Sequence, residues 1–411
     1  MKICLVHNSY EQRGGEDVVF EQEMANLKRH GHEVIAYRRS NTEIKSHSPL
    51  AQISLAKNSV WSGDSRKEFS RLLDQQAPDL VHVHNTFFMI SPSIYSACRE
   101  RGIPVVQTLH NFRLICPAHT LYRQGSICEE CLNGSLWNSV RHGCYRESRV
   151  MTATLATILS WHRLTRTWEN SIDCYIALTE FSREKFIAAG FHPDKIVVKP
   201  NFVDQDPGPK TKTGDFALYV GRLTPEKGLE TLLAAWQHFP AQWQLQVIGS
   251  GPERPDLESR VRTQNLVNIN FRGSLSRPET IALMKEARFL VVPSLWYEGF
   301  PMVIAEAMAC GTPVICSELG AMEEIVAHGR TGLHFTAGDA EDLAQKAAWA
   351  WIHPEDMTEM GRAARFEYER RYTAEKNYAA LMKIYRRVVH GQTPNPRPAG
   401  NTSQLPALAA R

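Results

Sequence analysis

The sequence predicts an α/β protein built from two doubly wound domains. Short apolar runs of strand length alternate with longer helix-like segments along the chain, which is the pattern of parallel sheets covered by helices. A polar segment rich in proline and glycine, 203–214, divides these runs into two sets and is typical of a linker. The 411 residues are enough for two separate cores. We therefore expect two facing sheets with a ligand cleft between the C-terminal ends of their strands.

The individual elements follow from these runs. We expect strands at 2–7, 33–37, 80–84, 103–108, 174–178 and 196–199 in the first half, and at 216–220, 244–248, 267–271, 289–292, 313–316 and 333–335 in the second. The segment 374–389 has the apolar spacing of an amphipathic helix. The last residues, 392–411, contain four prolines, and we expect them to be disordered.

The composition excludes several classes of protein. Hydrophobic residues make up 43% and charged residues 22%, which is typical of a globular protein, and no apolar run approaches the roughly 18–20 residues that span a bilayer. The net charge of +3 lacks the strong basicity of a nucleic-acid-binding protein, so we expect no nucleic-acid partner. The N-terminal sequence is typical of a buried strand and not of a signal peptide, which favours a cytoplasmic protein.

The most informative segment contains two glutamates eight residues apart, Glu298 and Glu306. The turn between them ends at Pro301, which we expect to be the first helical residue because its missing N–H would have no partner there. The N–H groups of Met302 and Val303 would then form an anion site at the helix N-terminus. This element could bind the hydroxyls, phosphate and ribose of a nucleotide sugar, although a surface loop with two solvated glutamates also fits the spacing.

Two cations follow the first strand of the second half. Thr224 and Pro225 predict the start of a helix, which would place Arg222 at the strand end and Lys227 in the first helical turn. Fixed cations at the mouth of a cleft suit a diphosphate, and a guanidinium can bind it through two hydrogen bonds. The alternative is a solvated pair of loop charges.

Two features of the first half point to the same cleft. Gly14 and Gly15 precede a helix and would let backbone N–H groups approach a phosphate or a sugar, or they form a plain tight turn. His110 follows a strand and could contact a sugar hydroxyl or stabilise positive charge at the anomeric carbon, or it serves a structural role.

These residues, in this order, resemble the retaining glycosyltransferases of family 4, which have the GT-B fold of two Rossmann-like domains. The motifs are Gly14-Gly15, Gly221-Arg222-Leu-x-Pro-Glu-Lys227-Gly, Val-Ile-Gly249-Ser-Gly251-Pro and Glu298-x7-Glu306, and the likeness covers residues 1–390. It implies an acceptor-binding domain, 1–203, a nucleotide-sugar-binding domain, 214–373, and a last helix, 374–390, that crosses back to the first domain.

The resemblance also implies roles for residues. Arg222 and Lys227 would hold the donor diphosphate, Glu306 the ribose, and Glu298 the hydroxyls of the transferred sugar. The implied donor-binding set is Gly14, Gly15, Arg222, Lys227, Gly273, Glu298, Gly299, Phe300, Met302, Val303 and Glu306, and the implied catalytic set is His110, Glu298, Arg222 and Lys227.

The chemistry that this resemblance implies is transfer of a sugar from a UDP- or GDP-linked donor to a saccharide or lipid-linked saccharide, in exopolysaccharide or lipopolysaccharide synthesis. No catalytic metal or other cofactor is expected, because the cations and the helix terminus stabilise the leaving diphosphate. A same-face displacement with retention is expected, since no carboxylate in the motifs is placed as a nucleophile. The alternatives are a sugar-nucleotide epimerase, a phosphorylase, or a non-catalytic subunit that binds sugar nucleotides.

One insertion, about 112–146, departs from the family pattern. It contains Cys116, Cys128, Cys131 and Cys144, and in a cytosolic protein this spacing favours a structural zinc site over disulfides. Free thiols and disulfides remain as alternatives.

The span 141–166 combines an apolar helical stretch with a net charge of +4. Five arginines and one glutamate produce that charge: Arg141, Arg146, Arg149, Arg163, Arg166 and Glu147. Such a segment can rest on an anionic membrane surface, which would make the protein peripheral on the inner face of the cell membrane. A helix packed on the sheet with solvated arginines is the alternative.

Overall fold

The fold consists of two parallel six-stranded sheets, seen in a computed structural model that describes residues 1–10, 14–43 and 58–391. In chain order, the first half contains β1 (Lys2–Ser9), β2 (Glu33–Ser40), β3 (Leu80–Val83), β4 (Val105–Leu109), the hairpin β5 (Tyr122–Arg123) and β6 (Ser126–Ile127), β7 (Cys174–Ala177) and β8 (Ile196–Val198). The second half contains β9 (Phe216–Val220), β10 (Gln244–Ile248), β11 (Ile269–Gly273), β12 (Leu290–Val292), β13 (Val314–Ser317) and β14 (Gly332–Phe335).

Helices connect the strands. Those of the first half are α1 (Gly15–Arg29), α2 (Gly63–Gln76), α3 (Ser93–Glu100), α4 (Asn138–His142), α5 (Arg149–Leu164), α6 (Thr167–Ser171) and α7 (Glu180–Ala188). Those of the second half are α8 (Leu229–Trp236), α9 (Arg254–Thr263), α10 (Arg277–Glu286), α11 (Met302–Ala309), α12 (Ala321–Ile325), α13 (Ala340–Ile352), α14 (Pro354–Arg371) and α15 (Ala374–Val389). None of the described helices is both long and apolar enough to cross a bilayer.

The strand order explains where a ligand can bind. The first sheet runs β2-β1-β3-β4-β7-β8 and the second runs β11-β10-β9-β12-β13-β14. In each sheet the chain winds outward in both directions from the first strand of that half, so the connections diverge between β1 and β3 and between β9 and β12. Such a switch point opens a crevice at the C-terminal strand ends.

Local sequence accounts for these elements. All four side chains of β3 and all three of β12 are buried, as expected of central parallel strands covered on both faces. Helix α10 begins with a capping box between Ser276 and Glu279, and the Thr373 hydroxyl accepts from the Lys376 N–H at the start of α15. The twelve predicted strands and the helix over 374–389 are present, and the predicted α/β class with two doubly wound sheets is confirmed. The hairpin β5–β6 was not predicted.

The chain passes between the two halves twice, once between β8 and β9 and once between α14 and α15, and the two passages lie side by side. The Val203 N–H donates to the Tyr372 carbonyl, and Val203 pairs with Thr373 as an isolated bridge. Beyond this point α15 packs on the first sheet, where Leu381 and Tyr385 join the core around β1. The tail 392–411 lies outside the described residues.

Candidate functional site

A cavity of about 1470 Å³ lies between the two sheets, at their C-terminal strand ends. Loops after β1 and β4 line it from the first half, and loops after β9 and β12 line it from the second. The predicted residues on its wall are Gly14, Gly15, His110, Arg222, Lys227, Glu298, Gly299, Phe300, Met302 and Val303. Sequence positions almost 290 residues apart therefore share one cleft.

An ion pair forms the centre of the second-domain wall. Lys227 Nζ donates to Glu298 Oε1 at 2.6 Å, and the Ser294 hydroxyl donates to the same oxygen at 2.7 Å. Burial opposes ionisation of Glu298, but the Lys227 ammonium and these hydrogen bonds hold its pKa below the usual value. Lys227 and Glu298, predicted to contact different parts of a donor, thus contact each other.

The loop after β9 differs from the prediction in two details. Lys227 ends a short 3₁₀ turn, Pro225–Lys227, and does not lie in the first turn of α8, which begins at Leu229. Thr224 precedes this turn, but its hydroxyl donates to Glu226 Oε1 at 2.7 Å and caps no N–H. The reason is Gly228, whose φ of +71° ends the turn before the helix starts.

Arg222 is the more accessible cation. Its side chain is 62% exposed, and its nearest carboxylate oxygen, on Glu226, lies 3.7 Å away. A weak exposed pair of this kind leaves the guanidinium available to an anion in the cavity.

The helix terminus lies on the same wall. Pro301 is the N-cap, with φ −72° and ψ 98°, and the first helical residue of α11 is Met302, one position later than predicted. Met302 and Val303 are therefore the first two helical residues, whose N–H groups have no intrahelical acceptor. Both line the cavity, so this terminus is available to an anion.

Two predicted donor residues do not line the cavity. Glu306 Oε1 accepts from Arg277 Nε at 3.2 Å, and burial raises the pKa of Glu306 although Arg277 opposes the shift. Gly273 ends β11 with φ +72°, and a Cβ there would lie 3.2 Å from a guanidinium nitrogen of Arg254. Both positions face arginines.

The first-domain wall begins with the N-terminus of α1. The Gly14 N–H donates to Asp17 Oδ2 at 2.8 Å, which anchors the loop. Among the described residues, none outside the immediate neighbours of Gly15 lies within 4 Å of where its Cβ would be. Open space at Gly15 leaves the backbone accessible from the cavity.

Glu16, which the sequence did not single out, also lines the cavity. Its Oε2 accepts from Asn111 Nδ2 at 3.2 Å, and its Oε1 has no partner among the described residues. Burial and nearby Asp17 raise the pKa of Glu16 to about 8.

The two halves touch at Gly299. A Cβ at this position would lie 2.4 Å from the carbonyl oxygen of His110, closer than real contacts allow. Only glycine permits this approach, which brings the Glu298 loop next to the end of β4.

Behind His110 lies a buried polar cluster that the sequence did not predict. His84 Nδ1 lies 2.9 Å from His110 Nε2, and His84 Nε2 lies 3.3 Å from Glu23 Oε1. Glu23 Oε2 accepts from Lys199 Nζ at 3.1 Å. The alternation in Val-His82-Val-His84, at the end of β3, was the available signal, because strand residues two apart share a face.

Among the described residues, one set of side chains is close enough to hold a metal: ligand atoms of Glu23, His82 and His84 lie within 4.8 Å of one another. The Lys199 ammonium already pairs with Glu23, and the Tyr385 hydroxyl lies 2.7 Å from His82 Nδ1. Because a buried ammonium would repel a second cation, we interpret the set as a hydrogen-bonded network.

All nine cysteines are free thiols in the structure. Cys116 and Cys128 lie near enough to Cys131 and Cys144 to raise their pKa values further; burial is the main cause, and the values are about 12 and 11. The four sulfurs are not as closely grouped as the Glu23 set within the described part of the chain. The structural zinc stays a prediction.

Helix α5 forms an apolar side of the cavity and an apolar outer face. The cavity-lining residues are Val150, Met151, Thr154, Leu155 and Ile158. Val150, Trp161 and Leu164 are large apolar side chains that are 78%, 53% and 80% exposed. Arg146 and Arg149, at the N-terminal end, are exposed as well.

Comparisons with known proteins agree with this architecture. The model described as Glycosyltransferase Family 4 matches residues 13–207, and the model described as Glycosyl transferases group 1 matches residues 202–366. An uncharacterised glycosyltransferase of Methanocaldococcus jannaschii is 33% identical over 171 residues, 42% of this chain and 48% of that protein. The D-rhamnosyltransferase WbpZ of Pseudomonas aeruginosa is 32% identical over 161 residues, 39% and 42% of the two chains.

The alignments span about half the length of these curated relatives. A crystal structure of HepE from Anabaena, in complex with UDP and glucose, is similar in fold, with a TM-score of 0.64 and 18% identity over 93% of this chain and 99% of that one. The two family models together account for both halves of the chain and for the loops that line its cleft. The chain belongs to the family-4 glycosyltransferases of the GT-B fold.

Proposed function

We propose that this protein transfers a sugar from a nucleoside-diphosphate sugar to a saccharide or lipid-linked saccharide. The observation that carries the proposal is the meeting, in one cavity, of the exposed Arg222 guanidinium, the N-terminus of α11 and the Lys227–Glu298 pair. A diphosphate, with two negative groups, fits between the guanidinium and the helix N-terminus. The HepE complex with UDP-glucose supports a nucleotide-sugar donor.

In this proposal each group has a separate task. Arg222 and the N–H groups of Met302 and Val303 bind the diphosphate and stabilise the charge that grows as it leaves. Lys227 then exchanges part of its contact with Glu298 for a phosphate oxygen, which frees Glu298 to accept from hydroxyls of the transferred sugar. The bond from the anomeric carbon to the phosphate oxygen breaks, and the incoming hydroxyl oxygen bonds to that carbon on the same face. The leaving phosphate oxygen accepts the proton of the hydroxyl, so the configuration is retained.

The first domain supplies the acceptor side. Gly15 and His110 line the cavity from this domain and close over the donor, which leaves the rest of this wall to the acceptor. We propose that the apolar wall from α5 accommodates the hydrophobic part of a lipid-linked acceptor. WbpZ, named a D-rhamnosyltransferase, supports sugar transfer. We propose that the product belongs to an exopolysaccharide or a lipopolysaccharide.

We also propose that the outer face of α5 rests on the inner face of the cell membrane. Trp161 and Leu164 on this face are more than half exposed, and exposed arginines flank the helix, which suits an anionic headgroup layer. Binding to vesicles with and without an anionic lipid tests this. Trp161→Ser together with Leu164→Ser should abolish vesicle binding, and unchanged binding would contradict the proposal.

For the four cysteines we propose a structural zinc site. The four thiols lie near enough to influence one another's pKa, and Cys128 lies beside the Arg123 guanidinium. Zinc would bind the thiolates and stabilise the insertion that carries them. Metal analysis of the purified protein should find about one zinc per chain. The Cys131→Ser variant should lose the zinc, whereas the Cys98→Ala variant, at a buried position on α3, should keep it. A metal-free protein that is as stable as the zinc-bound one would contradict the site.

A panel of nucleotide sugars tests the main proposal. Calorimetry identifies the donor, and release of nucleoside diphosphate is then measured with and without acceptor. A transferase needs the acceptor, whereas an epimerase turns over without one, a phosphorylase needs free phosphate, and a non-catalytic subunit only binds. Arg222→Ala should weaken UDP or GDP at least tenfold, while Arg260→Ala, a surface arginine paired with Glu230, should not.

A further inference from the structure

Three side chains form a line from the interior of the first domain to the cavity. Glu23 lies on α1, His84 directly after β3, and His110 directly after β4. Glu23 and His84 are buried, with side chains only 2% and 1% exposed, and His110 lines the cavity. The nitrogen–nitrogen distance of 2.9 Å between His84 and His110 requires one proton between them.

The carboxylate decides which nitrogen of His84 carries a proton. Burial disfavours the charged form of Glu23, but Lys199 at 3.1 Å and nearby His82 hold its pKa well below the usual value. His84 Nε2 lies 3.3 Å from Glu23 Oε1, although the two atoms are not aligned for a hydrogen bond. A bare Nε2 would turn its lone pair towards that anionic oxygen, so Nε2 carries the proton.

The same reasoning determines which nitrogen of His110 carries a proton. Burial and the neighbouring His82 lower the pKa of His84 to about 3, so its ring is neutral and its Nδ1 has no proton. Nδ1 of His84 therefore accepts, and Nε2 of His110 donates. Burial and His84 also lower the pKa of His110 well below the usual value, so the Nδ1 of His110 is bare. No described residue makes a hydrogen bond to that atom.

We propose that Glu23 and His84 are positioning residues that hold His110 in its Nε2–H tautomer, so that His110 offers the cavity a hydrogen-bond acceptor. The group it would bind is a hydroxyl of the sugar in the cleft, and this part rests on the proposed function. With the opposite tautomer His110 would offer an N–H donor at the same place. The buried pair behind it thus selects a hydroxyl donor over a carbonyl or phosphate oxygen.

Nitrogen-15 NMR of the full chain, with labelled histidine, tests the tautomer without a ligand or an activity assay. His110 signals are assigned from their loss in His110→Asn. We expect a protonated Nε2 and a bare Nδ1 in the wild-type protein from pH 5.5 to 8. A protonated Nδ1 in the wild type would overturn the proposal.

Two variants at position 84 separate positioning from packing. His84→Asn places an amide oxygen near the former Nδ1, where it can accept from His110, and the tautomer should persist. His84→Gln places its amide near the former Nε2, where it can contact Glu23 but not His110, and a mixture of tautomers should appear. His192→Asn, at an exposed position, is the control and should change neither the tautomer nor the melting temperature. Identical His110 spectra in both position-84 variants would refute the role of His84.

Turnover adds a second measurement once the donor is known. His84→Gln should lower kcat/KM for the donor roughly tenfold or more, and His84→Asn should lower it by less than about threefold. Equal losses in the two variants, at equal stability, would indicate a packing role. Absence of transfer with every donor would refute the proposed function, whereas the NMR result would still decide the tautomer.

Discussion

Replacement of Lys227 by methionine removes one charge of the pair at the centre of the cleft. The two side chains are only 19% and 9% exposed, and their atoms lie 2.6 Å apart. Removal of one partner of a buried pair costs roughly 3–5 kcal/mol, because the other charge loses its compensation. Ser294 still donates to Glu298, so we expect the lower end, about 3 kcal/mol. This corresponds to a fall of about 6–12 °C in the melting temperature of the second domain.

Urea and thermal unfolding of four proteins measure this effect: wild type, Lys227→Met, Glu298→Gln and the double variant. Because the double variant buries neither charge, it should be less destabilised than the sum of the single variants, with a coupling energy of about 1–3 kcal/mol. Lys346→Met is the matched control, since Lys346 pairs with Asp342 at 3.7 Å on the surface and should contribute less than about 1 kcal/mol. Equal losses at positions 227 and 346, or no coupling between 227 and 298, would refute the reasoning.

Further predictions concern four other positions. Gly299→Ala should reduce turnover strongly, because its Cβ would lie 2.4 Å from the His110 carbonyl oxygen. Gly15→Ala is the control, since open space surrounds that position and the variant should keep the fold. Equal turnover in the wild type and Gly299→Ala would contradict the close contact. Glu16→Gln should gain stability relative to the wild type as pH rises from about 4.5 to 8, since the wild-type carboxyl, with its raised pKa of about 8, is protonated when folded and ionised when unfolded over that range. A melting-temperature difference that does not change between pH 5 and pH 8 would exclude this shift. Glu306→Gln should weaken donor and free nucleoside diphosphate alike in calorimetry, and a loss confined to the sugar-bearing donor would contradict a ribose contact.

The strands and helices could be predicted from the sequence because the patterns that specify them lie within each segment. A run such as Leu290–Val292 is buried on both faces whatever follows it, so its apolar character alone predicts a central strand. The proline near the start of α11 predicted the helix N-terminus to within one residue, since its fixed φ and missing N–H limit where it can occur. The alternation of strands and helices then predicted parallel sheets and a cleft at their C-terminal edges.

The partners of the charged side chains depended on the tertiary structure. Lys227 and Glu298 were each predicted to contact a ligand, but they are 71 positions apart in sequence and meet because β9 and β12 are neighbours in the sheet. The resemblance implied that Glu306 holds the ribose, and only the tertiary structure shows that its carboxylate accepts from Arg277.

For His110, too, the sequence predicts the position and the tertiary structure determines the hydrogen-bond partners. Its place after a strand was enough to predict a position in the cleft, because parallel strands end at one edge of a sheet. Its tautomer depends on Glu23 and His84, which come from α1 and β3 and approach it only when the first sheet has formed. Sequence therefore determined the strands, the helix termini and the edge where a ligand binds. Only the tertiary structure decided which charges are paired and which nitrogen of His110 carries a proton, because those states depend on atoms brought together across the fold.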